Sequence, residues 1–161
     1  MNKFKKLSKL FVLGALLSIQ MAAFAAQHKV AHSDAEYQQS ILFYINEYRA
    51  KHHLKPLVLK QDMSLEAAKH SRAMSNNAIP FGHTGFSGRI KRLYSKNKNS
   101  RGGAENVAYY RMDAKKLVDA WVASPGHRRN IQGNYNLTGI GIAHSKKDGW
   151  AYFTQIFLRC G

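Results

Sequence analysis

The stretch Trp121-Val122-Ala123-Ser124-Pro125-Gly126-His127-Arg128-Arg129-Asn130-Ile131 joins the end of one helical pattern to the start of another, with a histidine just past the joint. Ser124 is of the type that caps a helix start by offering its hydroxyl to an orphan backbone N–H. Pro125 suits the first helical position, where no N–H is needed. Gly126 leaves the approach open. The arrangement predicts a short helix that holds the His127 imidazole at the edge of a cleft, with Arg128 and Arg129 directed partly to solvent. The plain alternative is a histidine that packs beside a helix start.

Upstream of this joint, Asp113 caps a helix whose Leu117, Val118 and Trp121 form a buried edge. Before it, Gly102-Gly103-Ala104-Glu105-Asn106-Val107-Ala108-Tyr109 reads as a strand that partly encloses Glu105. An enclosed carboxylate needs a hydrogen-bond donor, a cation or a proton. Further back, Phe81-Gly82-His83-Thr84-Gly85-Phe86 sets a histidine between two glycines and two aromatics. The glycines permit unusual backbone angles, and the aromatics are expected to anchor the loop on the core so that His83 is presented. A short helix follows over 87–94.

From Ala67 to Ala104 there is no acidic residue, while Lys69, Arg72, Arg89, Lys91, Arg92, Lys96, Lys98 and Arg101 are all basic. Residues 96–103 read either as a solvated loop or as part of a docking surface. Lys91, Arg92 and Arg101 are the candidate ligand contacts there, and Arg128 and Asn106 those beside the cleft.

Ser33 and Glu36 form a capping box. Tyr37, Ile41, Tyr44, Ile45 and Tyr48 then recur at helical spacing as a core stripe, until Lys51-His52-His53, a solvated helix end. Leu57-Val58-Leu59 is a short extended run. Asp62 caps a second helix, in which Leu65, Ala67, Ala68, Ser71 and Met74 supply a face of mostly small residues open to close approach. Downstream of the joint, Thr138, Ile140 and Ile142 alternate with Gly139 and Gly141, and 150–158 alternates too, with Lys147-Asp148-Gly149 as the turn. This is an antiparallel hairpin whose glycines mark close packing of a helix or a ligand.

Lys3, Lys5, Lys6 and Lys9, an apolar run to Ala23 and the small-x-small Ala23-Phe24-Ala25 predict a signal peptide over 1–26, too short for a comfortable membrane span. Residues 27–40 form an N-terminal segment and the start of the first helix, and 41–161 one domain with one core. Four of the 25 Lys and Arg lie in the leader, leaving 21 against nine acidic residues, a formal +12. Such an excess favours anionic neighbours without specifying a fold. Cys160 is the one cysteine, so no disulfide staples the chain.

His-Thr-Gly-Phe at His83, Ala-Glu-Asn-Val-Ala at Glu105, Trp-x-x-Ser-Pro-Gly-His-Arg-x-Asn-Ile ending at Ile131, and Gly-Ile-Gly-Ile with a terminal Tyr-Phe-Thr-Gln-Ile-Phe come in the order seen in bacterial CAP domains. This superfamily is named for cysteine-rich secretory proteins, antigen 5 and pathogenesis-related proteins, and the chain resembles its SCP-like extracellular type from about Ile41 to Phe157. The resemblance implies an α+β fold, a three-layer α-β-α sandwich with a central antiparallel sheet. It also implies a shallow cleft that often holds two histidines and two glutamates. His83, Glu105 and His127 fall on three of those positions. Ser124 stands where many eukaryotic members have the fourth, a glutamate, and their disulfides are absent.

Two neutral imidazoles and a carboxylate can ligate zinc with a position left for water, although these three are spread over 45 positions. A metal-free alternative has Glu105 fixing the tautomer of one imidazole, giving a polar binding cleft or an acid/base pair. Three functions stay open. The leading one is a secreted or periplasmic binder of an extracellular or envelope ligand: a wall polymer, lipid or peptide. The second is a metal-dependent, peptidase-like hydrolase using His83, Glu105 and His127. The third is a cationic binder of anionic surfaces, with no specific nucleic acid expected.

Overall fold

The computed structural model describes residues 33–161, apart from Met112. The signal-peptide expectation over 1–26 and the segment 27–32 lie outside the described residues. Nine elements follow in order: α1 (Asp34–Lys51), β1 (Val58–Leu59), α2 (Gln61–Ser75), α3 (Phe86–Lys96), β2 (Ser100–Tyr110), α4 (Ala114–Ala123), α5 (Pro125–Ile131), β3 (Leu137–His144) and β4 (Ala151–Cys160). No helix among the described residues is long and apolar enough to cross a membrane.

The strands form one sheet in the order β1-β3-β4-β2. β4 lies between β3 and β2 and pairs antiparallel with both, and its pairing with β3 is the hairpin that the sequence predicts. The two-residue β1 is the exception to an antiparallel sheet: it pairs parallel with β3, Val58 opposite Leu137. β2 is left as an edge strand, which is what makes a cleft along it possible.

Helices cover both faces, so the three-layer α-β-α arrangement holds. On one face Ile41, Ile45, Leu117, Trp121 and Ile131 from α1, α4 and α5 pack with Ile140, Phe153 and Phe157 of the sheet. Each large apolar side chain so buried contributes about 1.5–3 kcal/mol. On the other, α2 and α3 bring Met63, Ala67, Ile90 and Leu93 onto Ile156 and Leu158. The glycines of β3 are explained by α2: a Cβ on Gly139 would lie 2.3 Å from the Met63 backbone, and one on Gly141 2.0 Å from the Ala68 nitrogen. The close partner is a helix, not a ligand.

Several local expectations need correction. Leu65 is exposed, because it sits two residues from Met63 and Ala67 and therefore on the opposite side of α2. Asp62 does not cap α2. Lys60 holds the N-cap position, and Asp62, in the first turn, accepts from Asn97 Nδ2 at 2.9 Å. Ser124 does occupy the N-cap of α5, with Pro125 after it, but its hydroxyl makes no capping bond. Its backbone N–H bonds back to Ala120 and Trp121, so one residue ends α4 and begins α5. The loop expected over 96–103 is short, since β2 already begins at Ser100. The capping box at Ser33 and the N-cap at Asp113 form as expected.

Candidate functional site

Glu105 stands in the middle of β2 with its side chain 1% exposed. Its answer to burial is Arg89, from the first turn of α3: Nε donates to Oε2 at 2.8 Å and Nη2 to Oε1 at 2.7 Å. Such a two-pronged, charge-assisted pair is among the stronger polar contacts a protein makes. Arg89 is itself buried and tied to the loop, Nη1 donating to the Thr84 carbonyl at 2.7 Å. The loop thereby brings His83 over the same carboxylate, with Nδ1 2.9 Å from Oε1.

A carboxylate held by an arginine is ionised and can only accept, so Nδ1 of His83 is the donor. This leaves Nε2 of a half-exposed ring free to accept a hydrogen bond or a proton. Beneath Glu105 lies a second histidine that the sequence did not single out. His70 of α2 is buried, with Nδ1 3.2 Å from Thr154 Oγ1 and 4.0 Å from Glu105 Oε2. Ser71 Oγ is 2.8 Å from the same threonine hydroxyl, and Nε2 of His70 has no partner among the described residues. Burial first, then the charge of Arg89 and that of His83, outweigh Glu105 and push the His70 imidazolium down to about 4. His70 is neutral at physiological pH.

His127 is placed differently. Its ring lies half-buried against Trp121, centroids 6.4 Å apart, and among the described residues makes no hydrogen bond to His83 or Glu105. Burial, and then the charge of His83, lower its pKa. What fixes α5 over β2 is a pair of asparagines. Asn130 Nδ2 donates to Asn106 Oδ1 at 2.8 Å and lies 3.2 Å from the Glu105 carbonyl, while Asn106 Nδ2 donates to the His127 carbonyl at 3.2 Å. His83, Glu105 and Asn130, with Phe86, Gly103 and Ala104, line a cavity of about 300 Å³ along the free edge of β2.

The expected ligand contacts divide accordingly. Asn106 is fully buried, so it positions α5 and touches no ligand. Arg128 is half-buried, its Nη1 latched to the Val122 carbonyl at 2.9 Å. Arg92 is paired with Glu66 at 2.9 Å. Lys91 and Arg101 are exposed, on α3 and at the start of β2. Phe86 anchors its loop as expected, whereas Phe81 is exposed and packs edge-on against Tyr109.

The donor set does not fit a zinc ion. Among the described residues no group of three His, Cys, Asp or Glu side chains is placed to hold a metal. Both Glu105 oxygens already accept from Arg89, whose guanidinium would repel a divalent cation. What remains is the chemistry of an oriented imidazole beside an ionised, buried acid.

Arg89 and His70 are the residues that sequence reasoning missed. The demand of an enclosed Glu105 for a cation was legible, but eight basic residues between 67 and 104 offered no way to choose among them.

Uncharacterized membrane protein YlbC of Bacillus subtilis (strain 168) is 32% identical over 124 residues, 76% of this chain and 34% of that protein. Uncharacterized protein YkwD of the same strain is 28% identical over 128 residues, 78% of this chain and 48% of that protein. The chain thus spans between a third and a half of the length of these relatives. The crystal structure of an extracellular protein containing a SCP domain from Bacillus anthracis str. Ames is similar at a TM-score of 0.65 and 27% identity, covering 76% of this chain and 40% of that one. Residues 42–157 match the cysteine-rich secretory protein family, CAP, to which this chain therefore belongs.

Proposed function

We propose that this protein is exported and acts as a binding module, holding a cell-envelope ligand in the cleft along the free edge of β2. The observation that carries this is the His83–Glu105 contact of 2.9 Å, which orients a half-exposed imidazole on the rim of a cavity. The signal-peptide pattern expected over 1–26 and the similarity to an extracellular protein of Bacillus anthracis support export. The ligand is a wall polymer, a lipid or a peptide. It supplies a donor to Nε2 of His83 and a body that fits between the His83 loop and α5.

Calorimetric titration of the purified protein with soluble wall-glycan fragments, phospholipid and sterol vesicles, and peptides tests this. Saturable binding to one of the three classes is expected, weakened about tenfold or more by His83→Ala, as loss of a charge-coupled hydrogen bond would do. Absence of binding to all three, or binding indifferent to His83→Ala, overturns the proposal. The same oriented imidazole favours one other function, metal-free general acid/base hydrolysis of a peptide. Its mark is peptide cleavage that survives a chelator and disappears in His83→Ala.

A further inference from the structure

A second cavity, of about 380 Å³, lies among the end of α1, the α5–β3 connection and the end of β4, and shares no lining residue with the His83 cleft. Its volume falls within the range of small-molecule sites, roughly 300–1,000 Å³. Arg49 lines it while being 2% exposed. The guanidinium donates to the carbonyls of Lys55, Ile131, Gly133 and Tyr135 at 2.8, 2.6, 3.0 and 3.0 Å. Those four bonds spend four of its five N–H groups and leave one on Nη2. Carbonyls satisfy donors but do not cancel a charge, and Arg49 has no carboxylate partner among the described residues. A buried charge with no counter-ion is costly unless an anion completes it.

The surroundings add to the imbalance. Lys55 and Arg159 line the same cavity, both exposed, and no Asp or Glu side chain does. Even with a terminal carboxylate on Gly161 counted, the lining is net positive. The register also sets Arg101 directly opposite Arg159 across β2 and β4. Like charges so placed destabilise a sheet, and neither has an acidic partner among the described residues. Leu54 and Tyr135 give the cavity an apolar wall beside this charge.

We infer that this cavity binds a small organic phosphate, a glycerol or sugar phosphate monoester. Its phosphate sits against Lys55, Arg159 and the field of Arg49, and its carbon body against Leu54 and Tyr135. Guanidinium and ammonium groups together are suited to a dianionic tetrahedral group, and a cavity of about 380 Å³ has room for a small monoester.

The test is calorimetric titration of the full protein with glycerol 3-phosphate, inorganic phosphate and glycerol, repeated on Arg159→Gln, Lys55→Gln, the double variant and His83→Ala. Arg159 and Lys55 are exposed, so these variants keep the fold. Arg49, stitched to four carbonyls, is left intact. One-to-one binding of glycerol 3-phosphate is expected, with weaker binding of inorganic phosphate and none of glycerol. Each single variant should weaken it about tenfold, the double variant should abolish it, and His83→Ala should leave it unchanged. No saturable heat, equal binding of glycerol, affinity for inorganic phosphate matching the ester, or an unaffected double variant each overturns the inference. Because His83→Ala acts only on the other cleft, failure here and failure of the proposed function are told apart.

Discussion

Two buried glutamates are each clamped by an arginine of α3, three positions apart on that helix, yet only one of them is beside a histidine. Glu105 meets Arg89 where both side chains are almost wholly buried, and Glu66 meets Arg92 where the arginine is 56% exposed. The second pair rivets α3 to α2, helped by Lys69 at 3.3 Å. The first sits at an edge strand, beneath a loop that lays His83 on the same carboxylate. An arginine–glutamate clamp is thus an ordinary structural part in this fold. It becomes a site when the acid's remaining acceptor capacity is turned toward an imidazole at the surface.

Removing each clamp should separate the two regions most sharply. Arg89→Ala leaves Glu105 buried without its cation, with His83 as its remaining hydrogen-bond partner, and should cost about 3–5 kcal/mol in chemical denaturation. Pairing Arg89→Met with Glu105→Leu should recover most of that loss while still weakening ligand binding to the level of His83→Ala, because the carboxylate that orients His83 is gone. If the double variant bound ligand normally, Glu105 would be a rivet like Glu66.

Acid titration gives the next largest effect. His70 has its pKa lowered to about 4 in the fold, against about 6.5 unfolded, so the unfolded chain takes up the proton first as pH falls. Stability should therefore drop by about 3 kcal/mol between pH 6.5 and 4, and no further from this group below 4. His70→Asn should flatten that slope, which denaturation midpoints across the pH range would read. Glu66 acts in the same direction, since its pKa too is lowered in the fold. Burial raises its pKa, but Arg92 and Lys69 more than reverse this and hold it below the usual value. Its stabilisation is present at neutral pH and lost as pH falls through its folded pKa.

Arg92→Ala should cost only about 1 kcal/mol, since the arginine is mostly in water and Lys69 remains. The smallest effect on stability belongs to His83→Ala, within about 0.5 kcal/mol, because that ring is half-exposed. A thermal melt that leaves His83→Ala near wild type, beside lost binding, would mark the residue as part of the cleft rather than of the core.

What the sequence made legible, and what it hid, follows the range of the interactions. Local signals held: the Ser33–Glu36 box, the Asp113 cap, Pro125 opening a helix, the hairpin at Gly149. The glycines at 139 and 141 announced a close approach, and α2 is what approaches. The parallel pairing of β1 was hidden, because two residues carry no periodicity and their partner lies almost 80 positions on. His70 was hidden for a related reason. Nothing in Ala68-Lys69-His70-Ser71 marks a histidine whose meaning comes from Thr154 and Glu105 across the sheet. Asn106 was drawn toward the ligand by its place beside Glu105 in sequence, but adjacent strand residues point to opposite faces, so it serves α5 instead.

The central claim, that an ionised Glu105 fixes His83 with one nitrogen turned outward, is tested most directly by the imidazole ¹⁵N shifts of His83 in the wild-type protein near neutral pH. The neutral ring should carry its proton on Nδ1 with Nε2 bare, and should revert to the Nε2–H tautomer in Glu105→Leu, Arg89→Met. A wild-type ring already in the Nε2–H form would contradict the account.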